Sequence, residues 1–94
     1  MKTAIVTGAA RGIGLAITER LLAGNFNVAM LDIDEENLLK SAQGLGNPSS
    51  VIALHCDIAN RQQVMSVIDA VAEKFGSINA LVNNAGIATF KPFM

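Results

Sequence analysis

A chain of 94 residues, 51% apolar and 16% charged, has the composition of one small globular domain, which removes well under ~70% of its unfolded surface from water. Its net charge of −1 excludes a protein that works by attraction to nucleic acid or to an anionic membrane. The single cysteine, Cys56, excludes an intrachain disulfide and fits a reducing compartment, and no run approaches the ~20 apolar residues of a membrane span. The short N-terminal apolar run has no signal-peptide pattern after it, so the chain reads as cytoplasmic.

That first run, over 3–8, reads as a strand. It leads into Thr7-Gly8-Ala9-Ala10-Arg11-Gly12-Ile13-Gly14, a glycine-rich turn that opens a helix over 12–23. Ile13, Ala16, Ile17 and Leu21 recur at helical spacing and mark the expected buried face, with Gly24-Asn25 as the stop. Glycines stand where Ser, Thr, Asp or Asn would normally cap the free N–H groups. A helix start of this kind suits an external anion, which both the N–H groups and the helix dipole favour.

The second apolar run, over 27–32, ends on Asp32. A helix is expected over 35–44, capped by Asp34. Glu35 and Glu36 sit in its first turn, where the dipole favours acids, and are read as capping rather than chemistry. Leu38, Leu39, Ala42 and Leu45 form its apolar side, and the segment from Gly44 to Ser50 is a loop by composition. The third strand is Val51 to Cys56. Asn60 and Gln63 then have capping-box spacing at the start of a helix that runs to Phe75. Its apolar face is Val64, Val67, Ile68, Val71, Ala72 and Phe75, and Gly76 ends it. The last run, over 79–84, reads as a fourth strand. His55, Cys56 and Asp57 are consecutive, but strand neighbours point to opposite faces, so no metal site is expected.

The first three strands are nearly continuous apolar runs, which implies a parallel sheet covered by helices on both faces. Right-handed crossovers then set the strand order 3-2-1-4. The fold class is α/β, with the first two helices on one face and the third on the other. Gly8, Asp32, Asp57 and Asn83 fall at the carboxyl ends of the strands, where doubly wound sheets bind ligands.

With these motifs in place the chain resembles the short-chain dehydrogenase/reductase family. The family's T-G-x-x-x-G-x-G turn is matched at Thr7, Gly8, Gly12 and Gly14, its N-N-A-G motif at Asn83, Asn84, Ala85 and Gly86, and its aspartate after the third strand at Asp57. The resemblance covers nearly all of residues 1–94, but only the N-terminal half of the family's doubly wound Rossmann domain. The family's catalytic Asn, Ser and Tyr-x-x-x-Lys lie beyond N-N-A-G, and this sequence contains no tyrosine. The reading is therefore a cofactor-binding fragment with no catalytic residue of its own, cut after the fourth strand. The intact protein would interconvert an alcohol and a carbonyl. Two rival readings are a self-contained, non-catalytic nucleotide-binding module and a non-functional truncated remnant.

The resemblance implies a dinucleotide, NAD rather than NADP, as the partner. Gly8 and Gly12 would let the backbone approach its pyrophosphate, Gly14 would pack the first helix closely on the sheet, and Ile13 would offer its N–H while its side chain joins the core. Asp32, with Ile33 beside it, would accept from the adenosine ribose hydroxyls and repel a 2′-phosphate. Arg11 could reach such a phosphate or simply pack its stem on the turn; the second is favoured because Asp32 occupies the place. Asp57 has two readings of equal weight: it meets the adenine amino group, with Ile58 on the ring edge, or it helps to start the third helix. Asn83 and Asn84 would tie strand ends and line the cofactor, and Ala85 and Gly86 would leave room for the ribose. An intact family member would be a homo-oligomer. The fragment, with the apolar fourth strand at its edge, is expected to be marginal, molten or self-associated through that strand.

Overall fold

Four apolar runs become four parallel strands in the computed structural model, which describes residues 1–46 and 49–84. The elements in chain order are β1 (Thr3–Thr7), α1 (Gly12–Ala23), β2 (Asn27–Asp32), α2 (Glu35–Leu45), β3 (Val51–His55), α3 (Arg61–Phe75) and β4 (Ala80–Asn83). The sheet order is β3-β2-β1-β4, as the run pattern predicts. In register, Ile5 lies between Ala29 and Leu81, and Val6 between Met30 and Val82.

Alternation along the strands divides the interior into two layers. Ile5, Ala29 and Leu31 face α3 and pack with Cys56, Val67 and Val71. Val6, Val28 and Met30 face the other way, against Leu38 of α2 and the half-buried Leu15, Leu21 and Leu22 of α1. Helices α1 and α2 thus share one face and α3 covers the other, as expected. β1 is wholly buried, whereas β3, at the edge of the sheet, is only half-buried and ends on an exposed His55.

The helices differ from the sequence pattern in their rotation. In α1 the buried positions are Gly14 and Thr18, while Ala16 is exposed and Ile13 is 67% exposed. Ile13 therefore does not join the core. The phase of α1 is set by Gly14, which lies against the Gly8 carbonyl. That contact turns the 14–18 strip inward, and Thr18 tolerates burial because its hydroxyl donates to the Gly14 carbonyl oxygen at 3.0 Å. Leu39 of α2 and Ile68 and Ala72 of α3 are likewise exposed, leaving Leu38 and the Val67–Val71 strip as the buried lines. A helix lying on a sheet buries a narrower stripe than its apolar residues mark out.

The caps are local and behave as the sequence predicts, with one change of partner. Asp34 Oδ1 accepts from Asn37 N–H at 3.3 Å, and Asn60 Oδ1 accepts from Gln63 N–H at 3.1 Å. Gln63 does not close the box on Asn60, whose N–H already donates to the Asp57 carbonyl at 2.9 Å. Its Oε1 instead accepts from Asp57 N–H at 2.8 Å. Among the described residues no helix is long and apolar enough to cross a membrane.

Candidate functional site

The glycine turn joins the wholly buried β1 to a helix start that no side chain caps among the described residues: Arg11 occupies the cap position without a side-chain bond to the helix. Gly8 and Gly12 both have φ of 63°, a left-handed conformation that L side chains rarely adopt, so the turn is closed to most other residues. Gly14 answers to a different constraint. A Cβ there would run into the Gly8 carbonyl oxygen and lie 2.8 Å from Asn84 Nδ2, so helix and turn approach as closely as backbones can.

Neighbouring segments hold the turn in place. Ala9 N–H donates to the Leu31 carbonyl at 3.0 Å, Ala10 N–H donates to Asp32 Oδ2 at 2.9 Å, and the Ser41 hydroxyl donates to the Ala10 carbonyl. The other carboxylate oxygen of Asp32, Oδ1, accepts from Asp34 N–H at 2.9 Å. Asp32 is thus oriented by two backbone N–H groups, and each of its oxygens keeps a lone pair for a further donor. On the other side Asn84 Nδ2 donates to the Gly8 carbonyl at 3.1 Å, and the Thr7 hydroxyl donates to Asn83 Oδ1 at 3.0 Å. The two asparagines tie β4 to β1 through one donor and one acceptor, the structural part of their expected role. Ala85 and Gly86, also expected here, lie outside the described residues.

A cavity of about 270 Å³ opens at the carboxyl ends of β1, β2 and β3. Five predicted residues line it: Gly8, Asp32, Ile33, Asp57 and Ile58. Leu31 and Cys56 line it too. Nothing in the sequence separates them from plain strand residues, because an apolar strand end looks the same whether it meets a helix or a ligand. Ser41 is equally inconspicuous; its one signal in the sequence is a hydroxyl beside Leu38 and Ala42 on the inner side of α2. Arg11, Gly12 and Ile13 stand at the exposed start of α1, not in the cavity wall.

The site's acids have distinct surroundings. Asp57 Oδ1 accepts from Ala59 N–H at 3.0 Å, which supports its part in starting α3 and leaves its second oxygen beside the cavity. Asp34 is held below the usual carboxylate range, first by the Asn37 side chain and backbone and then by Arg11 and Lys40. Burial, then the Asp57 charge, pushes the Cys56 thiol up, so it stays protonated and unreactive at neutral pH. A larger apolar groove of about 420 Å³ runs beside this site between α3 and β4, walled by Ile58, Ile68, Ile78 and Leu81. The arrangement can therefore seat a flat, partly apolar ring between isoleucines, accept hydrogen bonds from hydroxyls at Asp32, and face an anion with the start of α1.

Comparison with known proteins gives these features a context. The family model described as short chain dehydrogenase matches residues 2–94. L-2,3-butanediol dehydrogenase of Corynebacterium glutamicum is 37% identical over 99% of this chain, which spans 37% of that protein. Among solved structures, a short chain dehydrogenase/reductase from Burkholderia phymatum in complex with NAD superposes with a TM-score of 0.81 at 32% identity, covering 85% of this chain and 29% of its own. Actinorhodin polyketide ketoreductase with NADPH does so with a TM-score of 0.84 at 34% identity, covering 90% and 33%. The chain thus spans about a third of the length of these relatives.

Proposed function

The chain belongs to the short-chain dehydrogenase family, and from that premise we propose that residues 1–94 form the dinucleotide-binding N-terminal part of a cytoplasmic oxidoreductase that interconverts an alcohol and a carbonyl with NAD(H). One observation carries the reading: Gly8, Asp32, Ile33, Asp57 and Ile58, distant in sequence, line one cavity beside a helix start that no side chain caps. The cradle fits the cofactor, because the close seat of Gly14 on Gly8 leaves backbone, not side chain, facing the place of a pyrophosphate.

In this reading the N–H groups at the start of α1 hold the pyrophosphate, Ile33 and Ile58 wall the adenine, and Asp57 takes its amino group. Asp32 accepts from the ribose hydroxyls. Its charge opposes a 2′-phosphate, so NAD is preferred over NADP. A bound nicotinamide supplies or accepts the hydride. These 94 residues contain no tyrosine, and therefore no Tyr-x-x-x-Lys proton donor, so by themselves they bind without turning substrate over. The longer protein would act as a homo-oligomer.

Titration of the ¹⁵N-labelled chain with NAD and with NADP tests the proposal. Amide shifts should concentrate at Gly12, Ile13, Ile33 and Ile58 and saturate at lower NAD than NADP. Asp32→Ala should narrow that gap, since two unit charges ~5 Å apart at an effective dielectric of ~20 repel by roughly 3 kcal/mol before screening. Shifts scattered away from the turn, or equal affinity for the two dinucleotides, would count against the cofactor assignment.

A further inference from the structure

Asp32, which lines the cavity, is followed by a second acid that does not. Asp34 stands two residues on, at the cap of α2. Its Oδ1 accepts from Asn37 N–H at 3.3 Å and its Oδ2 accepts from Asn37 Nδ2 at 2.7 Å. The Nη2 of Arg11 lies 3.8 Å from that same Oδ2. Arg11 comes from the glycine turn, on the other side of Asp32. Besides the Ser41–Ala10 hydrogen bond, the two segments are linked through Asp32, which accepts from Ala10 N–H and Asp34 N–H, and through the Arg11–Asp34 ion pair.

The two members of this pair are not equally fixed. Asp34 is held by both hydrogen bonds from Asn37. The Arg11 side chain is 76% exposed and touches Asp34 at ion-pair rather than hydrogen-bond distance. Lys40, another cation that acts on Asp34, pairs with Glu36 at 3.4 Å. An anchored anion with a loosely held cation decides where that cation rests. A guanidinium released beside the ribose end of the cavity is the group best suited to a phosphate, which it can grip with two parallel hydrogen bonds.

We propose that Asp34 is a positioning residue for cofactor choice: it draws the Arg11 guanidinium to the α2 cap and so withholds it from a 2′-phosphorylated adenosine at the Asp32 end of the cavity. This rests on the reading that the cavity takes the adenosine half of a dinucleotide. Discrimination against a 2′-phosphate then has two sources, direct repulsion by Asp32 and sequestration of Arg11 by Asp34.

The test compares 5′-AMP with adenosine 2′,5′-bisphosphate, which differ only in the 2′-phosphate, by NMR titration of the full 94-residue chain. Asp34→Asn removes the charge and keeps a good helix cap. The ratio of bisphosphate to 5′-AMP affinity should rise about 1.5- to fivefold, the range of an exposed ion pair, and the gain should shrink at high salt. Adding Arg11→Ala to Asp34→Asn should cancel most of the gain, a coupling that a purely structural role for Asp34 would not produce. An unchanged ratio in Asp34→Asn, or an equal rise with and without Arg11, overturns the proposal while leaving the nucleotide reading intact. Failure of the parent chain to bind 5′-AMP overturns both. The amide spectrum in each sample reports folding, and Asp34→Ser, also a good cap without charge, repeats the comparison if the asparagine variant unfolds.

Discussion

Replacing Gly14 with alanine sets helix propensity against packing, because the two predict opposite signs. In an ordinary helix position alanine gains about 0.5–1 kcal/mol over glycine. At position 14 of this fold the new Cβ would run into the Gly8 carbonyl oxygen and lie 2.8 Å from Asn84 Nδ2. Gly8 has little room to give: its φ is 63°, and the next residue is tied to the Leu31 carbonyl at 3.0 Å. Relief requires α1 to move off the turn or Asn84 to leave it. Overpacking typically costs about 1–3 kcal/mol, and losing the Asn84–Gly8 hydrogen bond adds about 1 kcal/mol. After the propensity gain, Gly14→Ala should destabilise by about 1–3 kcal/mol. In a domain of this size that lowers Tm by roughly 5–20 °C. Thermal unfolding followed by circular dichroism measures it, with Gly12→Ala as a companion. There a Cβ meets nothing within 4 Å, and only the left-handed φ of 63° opposes it, by about 1–2 kcal/mol. A Gly14→Ala chain that melts at or above the parent temperature would refute the packing account.

Three further outcomes are expected. The Thr3 hydroxyl is buried with no hydrogen-bond partner among the described residues, so Thr3→Val should raise the unfolding free energy by about 1 kcal/mol; a urea midpoint at or below that of the parent would contradict this. The folded-state pKa of Asp34 lies below its ordinary value of 3.8, so its contribution is present above that value and is lost as pH falls through the folded one. Asp34→Asn should therefore flatten the acid limb of a stability–pH curve below 3.8, and an unaltered limb would dismiss the effect. Leu81 is 65% exposed on β4, an apolar strand at the sheet edge, so Leu81→Lys should suppress concentration-dependent self-association in sedimentation. Identical profiles for parent and variant would place any association elsewhere.

Much of this fold is readable without coordinates because its signals are local. Apolar runs of strand length, separated by helical periodicity, specify β1 to β4 and α1 to α3 within a residue or two. Asp34 and Asn60 announce their helices because a cap acts over only three residues. Strand order follows as well, since buried parallel strands joined by right-handed crossovers leave few arrangements. The cavity is legible for the same reason: Gly8, Asp32 and Asp57 stand at or just past strand ends, and the ends of parallel strands meet.

What escapes the sequence is rotation and partnership. The apolar residues of α1 mark a broad face, and nothing within the helix says which edge of it meets the sheet. The contact of Gly14 with Gly8 decides this, turning Thr18 inward and leaving Ile13 exposed. Leu39 and Ile68 fail the same way, because burial depends on where the next layer lies rather than on hydrophobicity. Hydrogen-bond partners across segments are equally hidden. Gln63 has the spacing to bond Asn60 yet accepts from Asp57, whose carbonyl already holds Asn60. The strand-end position of Asp32 is written in its apolar run, but the two N–H groups that aim it belong to Ala10 and Asp34. Local periodicity determines which elements form and in what order. The packing of one element on another, a property of no single segment, decides which side chains face inward and which carboxylate faces the cavity.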